Sequence, residues 1–393
     1  MFSRFKVKSD KDIATIRQLG IAEITIILER SDLEIDFNSE LAAEPEPQPA
    51  ADPPPAIPDE IWKDKQNQID QANEYRDKHK DISNRYKKQA RKVKKIVTDM
   101  KSQPANAIHN IDSVVKELSS SFDNQNDMVA NLVNLGTGEH NEYHHAINVT
   151  MLSMMLGKAE KLSLAELEQL CTGSLMHDIG KITVSSSITM KKTPLTRSEQ
   201  QAMQQHTTSG RTLAARVRDF PDEILEIIDR HHEFLDGTGY PHGLLAPQLS
   251  RIVRIVTLAN IYDNLCNPDD PERALTPKTA MARMYSEYNT KLDRKLVERF
   301  ISILGVYPPG TIVKLSDDSI GLVISSNQKS LLKPEVLIYN PCIPKEQAMI
   351  INLDDHDDLS VTDVLRPGEY PQEIYEYLDI GERLGYFMEA GAG

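Results

Sequence analysis

The spacing of apolar positions changes character twice along the chain. Residues 59–102 are highly charged and contain neither Pro nor Gly. Within them Trp62, Ile69, Ala72, His79, Ile82, Tyr86, Ala90, Val93, Val97 and Met100 recur at steps of three, four and seven. That period places them on one face, so a long amphipathic helix is predicted over 59–104, about 65 Å in length at 1.5 Å per residue. A helix of that length reads best as a coiled coil or stalk pairing two chains; the alternative is a helix lying along the catalytic domain of its own chain. From Ala105 to about Leu304 the pattern stays helical, with stripes such as Ile147, Met151, Met154 and Met155. After YPPGT (307–311) the texture switches to the β-branched runs TIVKL, SIGLVISS and EVLIY, separated by turn-prone SDD and NQK. A small β element is expected there.

The N-terminal residues carry a different signature. RFKVKS alternates as a short strand, Ser9 and Asp12 mark a helix start before IATIRQL, Gly20 ends that helix, and EITIIL (23–28) reads as a returning strand. An α/β module of about 40 residues is too small for an independent core. The Pro/Ala-rich stretch at 41–58 follows as an extended linker. The expected division is a module at 1–40, a linker at 41–58, a long helix at 59–104, a helical catalytic domain at 105–305 and a β-containing extension at 306–393. The fold class is mainly α, a helical bundle flanked by the N-terminal α/β module and the C-terminal β element.

Charge narrows the function classes. Forty-five basic against 59 acidic residues give a net charge of −14, which argues against a DNA- or RNA-binding protein. The run KKQARKVKK (87–95) reads as the solvated face of the long helix. An anionic substrate would therefore need local cations. Three widely spaced cysteines (Cys171, Cys266 and Cys342), no signal-peptide pattern and no apolar span predict a soluble cytoplasmic protein.

Histidine is concentrated where the helical pattern runs. Eight of the 11 histidines fall between His140 and His242. In MHDIGK (176–181), His177 and Asp178 point about 100° apart on a regular helix, but at a helix end before Gly180 both can reach one metal region. Imidazole supplies nitrogen, a carboxylate can bridge two cations, and Lys181 can hold a phosphate oxygen. In HHEFLDGTGYP (231–241) two histidines follow the apolar helix EILEIIDR, so one faces inward and the other sits near the terminus. Asp236 to Gly239 suits a tight turn, and Tyr240 stands before a rigid Pro, placed to present its ring or hydroxyl to a ligand.

Taken together, these motifs resemble the HD-GYP subgroup of the HD metal-dependent phosphohydrolases. EYHHAINVTML (142–152) is similar to that family's first metal-ligand helix, QQHTTSGRTL (204–213) to the helix carrying a further histidine, and RIVRIVTLANIYDNL (251–265) to its closing helix. The likeness covers roughly residues 105–305, and the N-terminal module resembles one that often precedes such domains. It implies an HD-type helical bundle holding two divalent transition metals, Fe or Mn, bridged by Asp178. One metal would be held by His145 and His177 with Asn260, the other by His206, His231 and His232. It assigns substrate contacts to Lys181, Tyr240, Asp236 and Arg273. His140, His144 and His242 are expected outside the ligand set.

The implied activity is hydrolysis of cyclic di-GMP to pGpG, and onward to GMP, by a metal-activated hydroxide, with Asp178 and Lys181 as catalytic residues. The sequence departs from the family pattern in places. Asn260 stands where the family usually has a ligating Asp, so it brings no charge to the first metal. Asn141 occupies a position where some members have a Glu that ligates a third metal, so two metals are expected. Asp269 and Glu272 fall where many relatives carry basic substrate contacts, leaving Arg273 as the cation there. These departures motivate a rival reading as a weak or inactive cyclic di-GMP-binding regulator; another is an HD phosphohydrolase for a different nucleotide. A homodimer through the long helix or the N-terminal module is also expected.

Overall fold

The computed structural model describes residues 59–100, 102–103, 107, 110–111, 113–117 and 142–378, except 192, 218–219, 269, 271–272, 328 and 366–369. The strands, helix and linker predicted within 1–58 lie outside the described residues, as do His140, Asn141, Asp269 and Glu272. Contacts divide the chain into Met1–Lys63 and Asp64–Gly393; the bundle, the sheet and the candidate site all lie in the second unit.

The charged, Pro-free segment forms one helix, α1 (Asp59–Met100). Its apolar stripe is covered by its own chain. Ala72 belongs to a core with Ile312, Leu322, Leu337, Ile374 and Tyr375 of the C-terminal region. Almost four turns further on, Tyr86, Ala90, Val93, Ile96 and Met100 are buried in the core of the helical bundle. Between Ala72 and Met100 the stripe therefore meets a β core first and an α core second, and the preferred stalk expectation gives way to the alternative of a helix lying on its own chain. The reason is energetic: each large apolar side chain so buried contributes about 1.5–3 kcal/mol, with no second chain needed to cover it.

The bundle is built from α2 (Glu142–Ala159), α3 (Leu164–Met176), α4 (Arg197–Gln204), α5 (His206–Ala214), α6 (Asp222–Arg230), α7 (Arg251–Cys266), α8 (Pro277–Glu287) and α9 (Arg294–Leu304). Ser163 and Glu166 close a capping box at the start of α3, and Thr196 and Glu199 close another at α4. Each satisfies backbone N–H groups that the first helical turn leaves without partners. Helices α2 and α7 are apolar on nearly all sides and sit at the centre, where Ile147, Leu156, Val253, Leu258 and Tyr262 are fully covered. Polar side chains buried on such helices, among them His145, Asn148, Asn260 and Asp263, demand partners inside the protein.

The three predicted strands form as β1 (Ile312–Leu315), β2 (Ile320–Ser325) and β3 (Glu335–Tyr339). Two short strands, β4 (Ile350–Asn352) and β5 (Val361–Leu365), complete an antiparallel sheet of order β4-β3-β2-β1-β5. Gly321 pairs with Ile338 at a point where any Cβ would collide with the Val336 side chain. A final short helix, α10 (Gln372–Tyr377), packs on the sheet through Ile374 and Tyr375. No helix among the described residues is long and apolar enough to cross a membrane.

Candidate metal centre

Five histidines and one aspartate converge inside the bundle, and each arrives there for a local reason. His145 lies on α2. His177 follows the last residue of α3, and Asp178 leaves the helix with φ −97° and ψ 7° before a 3₁₀ turn at Ile179–Thr183. That break turns the adjacent His and Asp toward one point. Gly180 makes the turn possible, since a Cβ there would overlap the carbonyl oxygen of His206 at the start of α5. His206 is thus drawn beside Asp178. His231 caps the end of α6, and His232 follows it in the loop. Gly239 repeats the device, as a Cβ would collide with the backbone of His232–Phe234 and push Tyr240 away. Tyr240 stacks on His232 with ring centroids 4.6 Å apart, and the Tyr240–Pro241 peptide is cis.

The protons can be placed from the partners. His145 Nδ1–H donates to Asp263 Oδ2 at 2.6 Å. His177 Nδ1–H donates to the Ser174 carbonyl at 2.7 Å, His206 to that of Met203 at 2.7 Å, and His231 to that of Ile228 at 3.0 Å. These oxygens are acceptors, so the proton sits on Nδ1 in all four rings and the Nε2 lone pairs point inward. His145 and His177 then face each other through Nε2 at 3.2 Å, and His206 and His231 at 3.3 Å. Asp178 lies between the two pairs. Its Oδ2 is 3.6 Å from His145 Nε2 and 3.3 Å from His177 Nε2; its Oδ1 is 3.2 Å from His206 Nε2 and 3.7 Å from His231 Nε2.

Two groups of ligand-type atoms result, His145–His177–Asp178 and Asp178–His206–His231–His232, each with its atoms within 4.8 Å of one another. Facing lone pairs repel unless something positive lies between them, and Asp178 Oδ1 is buried without a hydrogen-bond partner. Both features fit divalent metal held at this cluster. The set is nitrogen-rich with one shared carboxylate, which suits transition metals better than Mg.

Titration behaviour agrees with neutral His177, His231 and His232. Burial, then the charges of neighbouring histidines, pushes His232 well below the ordinary histidine range. Burial takes His231 down to about 3 against the pull of Asp178, and it also lowers His177. Burial acts on His145 in the same direction, but the hydrogen bond and charge of Asp263 outweigh it and leave His145 raised, hence a stronger base. Burial would raise Asp178; the Lys181 ammonium, 2.7 Å from Oδ2, and His177 overcome it and hold the carboxyl well below its usual range.

Not every expected site residue reaches this cluster. Asp236 uses Oδ1 to accept from the Thr238 N–H and hydroxyl, and Oδ2 to accept from Thr290. It fastens the DGTG turn, so an open carboxylate for substrate is not what the structure presents. Arg273 is exposed and ion-paired with Asp270, and among the described residues nothing draws it to the histidines. Asn260 is buried on α7 with its amide oxygen accepting from Asn264 Nδ2 at 2.8 Å. His144 stacks on Tyr86, and His242 bonds the buried Asp229 at 2.8 Å, both outside the ligand set as expected. Residues that sequence reasoning passed over include Asp263, which fixes His145, and Glu233, whose buried carboxylate accepts from the N–H groups of His242, Gly243 and Leu244 and so holds the loop after Tyr240. Asp263 is the one carboxylate on α7, and that was the available signal for it.

Residues 124–296 match the HD domain family, and residues 1–111 match a domain of unknown function (DUF3391). The chain is 27% identical over 290 residues to the cyclic di-GMP phosphodiesterase PA4108 of Pseudomonas aeruginosa, covering 71% of this chain and 69% of that protein. It is 31% identical over 165 residues to 3'3'-cGAMP-specific phosphodiesterase 3 of Vibrio cholerae, covering 42% and 35%. Bd1817, an HDG"Y"P protein of Bdellovibrio bacteriovorus, superposes with a TM-score of 0.48 at 17% identity, covering 56% of this chain and 70% of that one. With its His and Asp residues gathered as the domain requires, the chain carries an HD domain built to use divalent metal. The HD domain and its curated phosphodiesterase relatives make this chain a metal-dependent phosphodiesterase.

Proposed function

We propose that this protein hydrolyses cyclic di-GMP to pGpG, and onward to GMP, at two Fe or Mn ions held by the two halves of the histidine cluster. The observation that carries the reading is the split of the Asp178 carboxylate, one oxygen toward each pair of facing imidazoles. The curated names of the relatives support a cyclic dinucleotide as the substrate class.

When bound, paired cations supply a water of lowered pKa and a clamp for phosphate oxygens. The chain's own contributions follow from its geometry. His145, His177, His206, His231 and His232 would hold the ions as neutral ligands, so the ions keep most of their charge within an otherwise acidic protein. Asp178 would be shared by the two groups of ligands, and the Lys181 ammonium beside it holds its carboxyl well below the usual range, so it stays ionised. Lys181, partly exposed beside Asp178, is placed to hold a phosphate oxygen through the transition state. Tyr240 keeps its phenolic proton because burial raises its pKa, so it acts at the site as a ring surface and a hydrogen-bond donor. Asp236 and Arg273 are the less favoured substrate contacts, given the turn and the ion pair that occupy them.

The engaged, uncharged amide of Asn260 favours one competing reading, a regulator that binds the dinucleotide with little turnover. We also carry forward a cytoplasmic homodimer, joined through the long helix or the N-terminal module, and the domain limits at 1–40, 41–58, 59–104, 105–305 and 306–393. Light scattering of the full chain tests the dimer. Chromatography of products from cyclic di-GMP and 3'3'-cGAMP, incubated with anaerobic protein plus Fe²⁺ or Mn²⁺, tests the activity. Formation of pGpG is expected. Tight binding without product would establish the regulator, and preference for 3'3'-cGAMP would correct the substrate.

A further inference from the structure

A continuous line of hydrogen bonds runs from the long helix to the metal cluster. The Tyr86 hydroxyl, buried on α1, donates to Asn148 Oδ1 on α2 at 2.8 Å. Asn148 Nδ2 donates to Asp263 Oδ1 on α7 at 2.9 Å, and Asp263 Oδ2 accepts from His145 Nδ1 at 2.6 Å. Asn267 Nδ2 adds a second donor to Asp263 Oδ1 at 2.7 Å. Every donor and acceptor along the line is defined by chemistry. The Asp263 carboxylate can only accept, so it fixes both the Asn148 flip and the His145 tautomer and leaves Asn148 Oδ1 to accept from the Tyr86 hydroxyl, which also lies 3.3 Å from the His144 carbonyl. The Tyr86 ring is held independently, stacked on His144 with centroids 5.5 Å apart.

We infer that Tyr86 is a positioning residue for the metal ligand His145, so that α1 sets how firmly the first metal is held. The inference rests on the metal reading of the cluster and extends it to an element that supplies none of the ligands. It also gives α1 a role beyond packing. Ala72 sits in the core of the C-terminal sheet and Tyr86 at the relay, about 21 Å apart along one helix. A rotation of α1 by a fraction of a turn would take the phenol donor away from Asn148 Oδ1 and so loosen the hold of Asn148 on Asp263 and, through it, on His145.

The test is Mn²⁺ affinity, followed by electron paramagnetic resonance, together with the visible spectrum of the Co²⁺-substituted protein, in the full chain and its Tyr86→Phe variant. Tyr86→Phe keeps the ring and its stacking and removes the hydroxyl alone. The expected result is Mn²⁺ binding about three- to tenfold weaker and an altered Co²⁺ spectrum, below the ~10–100-fold that a direct partner of a ligand commands. Val93→Ala serves as the packing control: it lowers the unfolding midpoint by loosening α1, and it should leave metal affinity unchanged. Adding Tyr86→Phe to Asn148→Ala should cost nothing further, because the line is already cut. Unchanged affinity and spectrum in Tyr86→Phe, equal weakening in Val93→Ala, or fully additive losses in the double variant would each overturn the inference. Wild-type protein that takes up no Mn²⁺ would overturn the metal reading with it.

Discussion

Replacing Asp263 with Asn removes one charge and almost no volume, yet the surroundings make it a severe change. Asp263 Oδ1 accepts two hydrogen bonds, from Asn148 at 2.9 Å and Asn267 at 2.7 Å, while Oδ2 accepts from His145 at 2.6 Å. Three donors therefore surround a group with no proton of its own. An amide has one acceptor end. If its oxygen turns to the two asparagines, its NH₂ faces His145, which must move its proton to Nε2 and so presents N–H where a metal should bind. If its oxygen turns to His145, its NH₂ opposes two buried donors, at roughly 1–3 kcal/mol for each group left unsatisfied. Either way the loss belongs near the upper end of the ~10–100-fold range for partners of metal-bound histidines, about 2–3 kcal/mol. Competition of the Asp263→Asn protein against a chelator of known strength measures this directly. Affinity within twofold of wild type would refute the tautomer argument.

Other outcomes follow from the same geometry. Gly180→Ala places a methyl group against the His206 carbonyl and should destabilise the protein by about 3 kcal/mol in chemical denaturation, with loss of metal. Unchanged stability would mean that the turn can open without cost. Asn260→Asp restores a charged oxygen and should tighten retention of the first metal about tenfold, as ligand charge tunes affinity; no change would show that the bond to Asn264 is its whole role. Acidification should release metal in two steps. His145 is raised, so protons compete for its Nε2 as pH falls through a value above the ordinary 6.5, whereas His231, held near 3, keeps its metal to lower pH. A single release step at one pH would contradict that order.

Much of the site was legible before any coordinates because its elements announce themselves locally. The helix break at Asp178, the Gly that lets it turn, and the paired histidines at the end of an apolar helix are features of a few adjacent residues. The first three strands were equally visible as β-branched runs, while β4 has only three residues and β5 (VTDVL) is broken by an acidic residue and shows no buried-exposed alternation. What escaped was whatever depends on tertiary placement. The period of α1 states that one face is buried and says nothing of what buries it, so a covered stripe and a coiled-coil seam read alike until Ala72 and Tyr86 are seen in two cores. Asp263 is 118 positions from His145, and no spacing rule spans that distance. The partners of Asp236 were likewise not legible: a carboxylate in a Gly-rich loop beside the histidines suggests a substrate contact, and only the fold shows that it accepts from Thr238 in its own turn and from Thr290.

The most direct test of the two-metal account is the metal content of anaerobically purified protein beside Asp178→Ala, read with cyclic di-GMP turnover on the same samples. The account predicts close to two Fe or Mn per wild-type chain and turnover, with both metals weakened and turnover gone in the variant, since one carboxylate serves both halves. Wild-type protein with one metal or none, or an Asp178→Ala protein that keeps two metals and its activity, would contradict it.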